Sequence, residues 1–105
     1  MELYNLKNKT AIIAGAAGLL GYYHAIALLE LGATTILTDN NTKNLSKLKK
    51  KFSLNKYSNK VFFYKMDVTK EISVKKILEK VKSKFKSLDI LINNATIDYK
   101  VNKRK

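Results

Sequence analysis

Three of the four glycines in this 105-residue chain, Gly15, Gly18 and Gly21, fall within seven residues, at a junction between two kinds of segment. Ahead of them, Thr10–Ala14 (TAIIA) is short, apolar and β-branched, as expected for a strand buried in a parallel sheet. Behind them, Leu19–Leu31 (LLGYYHAIALLEL) reads as a helix with apolar residues on most faces. It is expected to be largely buried and to stop at Gly32. Passing from a strand through glycines straight into a helix leaves few folds open. Gly15 lets the chain turn tightly off the strand. Gly18 lets the backbone come close to a ligand with no Cβ in the way, and Gly21 lets the helix pack tightly on the sheet. The N–H groups that open the helix have no intrahelical partner and lie at the positive end of its dipole. In this strand-turn-helix setting they suit the diphosphate of a dinucleotide.

The rest of the chain repeats the alternation. Thr34–Thr38 (TTILT) is a second strand ending at Asp39, 18 residues after Gly21. A carboxylate there can accept hydrogen bonds from an adenosine ribose and would repel a 2′-phosphate, so it favours NAD over NADP. Asn41 or Thr42 can cap the next helix, in which Leu45, Leu48 and Phe52 form one stripe and Lys47, Lys49, Lys50 and Lys51 point mostly outward. Val61–Met66 (VFFYKM) is a third strand ending at Asp67. Thr69 can cap a helix whose inner face carries Val74, Ile77, Leu78, Val81 and Phe85. Leu88–Ile92 (LDILI) is a fourth strand, followed by Asn93, Asn94 and Ala95. The order βαβαβαβ predicts a parallel sheet with right-handed crossovers, wound 3-2-1-4. Residues 1–97 form one domain on this reading, and residues 98–105 (DYKVNKRK) a basic tail without periodicity.

Composition narrows the function. No cysteine means no disulfide framework and no thiolate metal site, and it fits a cytoplasmic protein. His24 is the sole histidine, so no metal site is expected. On the first helix, His24, Tyr22 and Tyr23 are read as packing residues or as a surface-facing imidazole. The net charge of +13 raises nucleic acid as a partner, yet 20 of the 21 basic residues are lysine, spread along the chain. Base reading favours the arginine fork, so no specific nucleic-acid role is expected. The apolar stretch from Ala11 to Ala33 is broken by three glycines, His24 and Glu30, too interrupted for a membrane span.

Taken in order, four blocks resemble the short-chain dehydrogenase/reductase family: Gly15-x-x-Gly18-x-x-Gly21, Asp39, Asp67-Val68 and Asn93-Asn94-Ala95. The resemblance implies a Rossmann-like three-layer α/β/α fold, here a partial doubly wound sheet, and a nicotinamide dinucleotide cofactor. It implies that Asp67 bonds the adenine amine and that the Val68 amide meets the ring. Asn93 and Ala95 would lie along the adenine-side ribose, and the Leu20 backbone would face the phosphates. There are departures. Ala14 stands where the compact branch has threonine, and Thr96 where it has glycine. The glycine spacing is that of the extended branch, which often acts on nucleotide sugars, whereas Asn-Asn-Ala is typical of the compact branch.

In that family a tyrosine, a lysine four residues later and a serine carry the chemistry, on elements beyond the Asn-Asn-Ala block. Tyr99 and Lys103 have the spacing but follow the fourth strand directly, with no helix pattern around them, so no catalytic residue is assigned. The expectation is a cofactor-binding half, inactive alone. Its fourth strand is an exposed apolar edge open to self-association or to completion by another chain.

Overall fold

The computed structural model describes residues 5–94. The elements are β1 (Thr10–Ala14), α1 (Leu19–Glu30), β2 (Thr34–Asp39), α2 (Thr42–Ser53), β3 (Val61–Lys65), α3 (Glu71–Phe85) and β4 (Ile90–Asn93). All pairings are parallel, and the strand order is β3-β2-β1-β4, as the alternation predicts. The proposed boundary at residue 97 lies outside the described residues.

The pleat sorts the strands' side chains into two cores. Ala11 and Ile13 of β1 join Leu37, Phe52, Leu48, Ala25, Leu28 and Leu29 on the face covered by α1 and α2. Ile12 and Ala14 turn the other way and join Ile36, Met66, Ile77 and Val81 under α3. The result is three layers, with β1 buried from end to end. In α2, Leu45, Leu48 and Phe52 are the buried residues, so the stripe read from the sequence is the packed one. Phe52 is about 1% exposed and stacks against Tyr22 and Phe63, which ties α2 to both α1 and β3.

Three expectations are corrected. First, α1 is not buried on most faces: only Gly21, Ala25, Leu28 and Leu29 are, while Leu19, Leu20 and Tyr23 are 68%, 61% and 59% exposed. Its first turn stands at the carboxyl rim of the sheet, beyond the strands it would need to pack on. Second, Thr69 does not cap α3. Its amide and hydroxyl both donate to Asp67 Oδ1, at 2.9 and 2.6 Å, and Lys70 becomes the cap position without a side-chain bond. Third, β4 begins at Ile90 rather than Leu88, because Asp89 is spent on holding β1. Its Oδ2 accepts from Thr10 N at 2.9 Å, and its own amide donates to the Thr10 carbonyl.

Candidate nucleotide-binding site

At the carboxyl end of the sheet, β1 leads into Gly15, whose φ of 70° is a left-handed conformation that costs glycine little. The Ala16 amide then donates to the Thr38 carbonyl of β2 at 2.9 Å. The Ala17 amide donates to Asp39 Oδ2 at 3.1 Å, while Asp39 Oδ1 accepts from Asn41 N at 2.9 Å. Asp39 thus fixes the glycine turn against the end of β2 and also starts α2, whose cap Asn41 accepts from Asn44 N at 3.0 Å.

The turn ends at Gly18, the extended N-cap residue of α1. No side chain caps α1, and its first turn holds no acidic residue, so the opening amides await an acceptor. A Cβ built on Gly18 would meet no atom within 4 Å: the space in front of it is open. Gly21 differs. Its Cβ would fall 2.4 Å from the Ala16 carbonyl oxygen. Its smallness seats the helix on the glycine turn, and the expectation that it serves packing on the sheet is corrected accordingly.

These elements enclose a cleft of about 360 Å³, lined by Gly15, Gly18, Asp39, Asn40, Met66, Asp67, Val68, Thr69 and Asn94. Of the residues singled out in the sequence, Gly15, Gly18, Asp39, Asp67 and Val68 meet here. Leu20 and Gly21 stand beside it on the first turn of α1. Asn93 lies in an adjoining apolar groove of about 220 Å³, with Ala14, Val68, Leu78 and Leu91. Ala95, Tyr99 and Lys103 lie outside the described residues. Asn40, Met66, Thr69 and Asn94 also line it without having been assigned a cofactor role from the sequence, although Asn94 belongs to the quoted Asn-Asn-Ala block and the others adjoin quoted residues.

Two carboxylates face the cleft, and among the described residues no basic side chain lines it. The bonds donated by the Thr69 hydroxyl and amide hold Asp67 below the usual aspartate range, helped by Lys70 and Lys65 and opposed by desolvation. Its Oδ2 has no partner among the described residues. The cleft therefore offers helix-end amides for an anion at one end and carboxylate acceptors for hydroxyl or amine donors at the other. Among the described residues, no group of His, Asp and Glu could hold a metal ion, and no helix is long and apolar enough to cross a membrane.

Comparison with known proteins agrees with this geometry. The short chain dehydrogenase family profile matches residues 9–105. The short chain dehydrogenase/reductase dpfgG of Gibberella zeae is 35% identical over 96 residues, which are 91% of this chain and 34% of that protein. The (-)-isopiperitenone reductase of Mentha piperita is 37% identical over 89 residues, 83% of this chain and 28% of that protein. Among solved structures, NAD+-bound xylitol dehydrogenase superposes with a TM-score of 0.77 at 30% identity, over 91% of this chain and 35% of that one. The chain spans about a third of the length of these relatives. Because the family profile covers residues 9–105, nearly the whole chain, the chain belongs to the short-chain dehydrogenase family.

Proposed function

We propose that this chain forms the adenosine-side half of an oxidoreductase's dinucleotide site and takes NAD in preference to NADP. The observation that carries the reading is the pairing, in one cleft, of an uncapped α1 N-terminus over open space at Gly18 with the Asp39 carboxylate at the end of β2. The diphosphate would lie on the amides of the first turn, the ribose hydroxyls would donate to Asp39, and the adenine would rest against Val68 near Asp67. The NAD+ in the xylitol dehydrogenase structure supports the cofactor class. Among the described residues, no tyrosine, lysine or serine lines the cleft.

Calorimetric titration with NAD, ADP-ribose and NADP tests this. NAD and ADP-ribose should bind with similar affinity, because the nicotinamide half contributes little here. NADP should bind at least about tenfold more weakly, a difference of about 1.4 kcal/mol. No saturable binding at millimolar ligand would overturn the reading. NADP binding more tightly than NAD would overturn the preference and point to Lys47 and Lys51, which line a smaller pocket beside Ala17.

A second reading is favoured by β4. Among the described residues its one strand neighbour is β1, and Leu91 is 60% exposed on the α3 side. That edge suits a module that completes its sheet with another chain.

A further inference from the structure

We propose that His24, on α1, is a positioning residue for the nucleotide cleft: its imidazole holds the Asn94 side chain at the cleft wall. The inference rests on the dinucleotide reading above. Asn94 follows β4, its backbone amide donates to the Ala14 carbonyl at 2.8 Å, and it lines the cleft with Gly15 and Gly18. Its side-chain Nδ2 lies 2.9 Å from His24 Nδ1, a contact joining residues 70 apart in the chain. An amide nitrogen can only donate, so Nδ1 accepts and the ring proton of a neutral imidazole sits on Nε2.

This arrangement needs an unprotonated ring. An imidazolium would set an N–H donor against the Asn94 donors, and the amide would have to turn or leave the wall. Other ionisable groups are poorly placed to substitute. α1 packs on β1, which carries none, and on β2, where Asp39 is engaged by Ala17 and Asn41. β4 carries none. From α2, Lys51 sits over the Tyr22 ring at 4.4 Å, and Tyr22 lies about 200° around the helix from His24. Glu30 is more than a turn and a half further along, and Tyr23 is an exposed phenol.

The test is NAD binding to the full chain at pH 7.5 and 5.5, with His24→Gln and His24→Leu. Gln keeps an acceptor that does not titrate in this range, and Leu removes it. Wild type should lose about fivefold in affinity on acidification, the worth of one ordinary hydrogen bond. His24→Gln should match wild type at pH 7.5 and be flat with pH. His24→Leu should be about fivefold weaker and also flat. In the nucleotide-free protein, the Asn94 side-chain amide resonances should move in His24→Leu, because the ring nitrogen they face is lost. Wild-type affinity in His24→Leu, an unchanged pH profile in His24→Gln, or Asn94 resonances that do not move overturns the positioning role alone. No NAD binding by wild type at either pH overturns the cleft's function with it.

Discussion

Gly18 and Gly21 are three residues apart and do opposite work. A side chain at Gly21 collides with backbone, the Ala16 carbonyl, which cannot swing aside as a flexible side chain could. A side chain at Gly18 collides with nothing in the protein. Gly21→Ala should therefore lower the stability of the fold by about 1–3 kcal/mol, as overpacking does, read as a lower urea midpoint. Gly18→Val should stay within about 1 kcal/mol of wild type in the same unfolding experiment, yet lose at least about tenfold in NAD affinity, because its methyls occupy the diphosphate's approach. If both variants lose stability equally, Gly18 is structural and the cleft reading weakens. The sequence already assigned the two glycines different tasks, ligand approach at Gly18 and helix packing at Gly21, but only the path of the turn shows that the atom crowding Gly21 is the Ala16 carbonyl oxygen.

At the scale of elements, the sheet order and all seven elements were legible because the core residues within the strands and helices follow one of two periods. Leu45, Leu48 and Phe52 repeat at helical spacing, and the β1 residues alternate between the two cores. The ends of elements were less legible, since they depend on where single hydrogen bonds go. Nothing in the pattern marks Lys86 as the left-handed residue (φ 73°) that ends α3, or Ser73 Oγ as the acceptor of the Asp67 amide at 3.0 Å. Asp89 joins the start of β4 to β1. The bond from the Thr10 amide holds its carboxyl below the usual range, with help from Ser87 and Lys9 and opposition from desolvation. A lowered folded-state pKa gives stability that is present above the unfolded value, about 3.9, and is lost as pH falls through the folded one. Asp89→Asn should thus have a lower denaturation midpoint than wild type at pH 7, and the gap should narrow as pH falls below about 3.9. A gap that persists unchanged at pH 3 would mean the carboxylate's charge contributes nothing.

The whole molecule sets two tendencies against each other. Its β4 strand, which pairs only with β1 among the described residues and has Leu91 exposed beside an apolar groove, favours association, whereas a net charge of +13 on 105 residues makes every copy repel every other. Salt decides between them, because the distance over which charges act shrinks from about 10 Å at 0.1 M to about 3 Å at 1 M while apolar contact is not screened. At about 100 µM protein, sedimentation should give a monomer in 20 mM NaCl and a mass rising with concentration in 0.5 M NaCl. The same change of salt should raise the thermal midpoint, as repulsion within each copy is screened too. Leu91→Lys puts a charge on the edge itself and should hold the protein monomeric at high salt, with its thermal response to salt retained. If wild type stays monomeric throughout, the edge is too short or too twisted to pair. Association that is unaffected by Leu91→Lys would place the contact elsewhere, with the uncovered first turn of α1, at Leu19, Leu20 and Tyr23, the next surface to substitute.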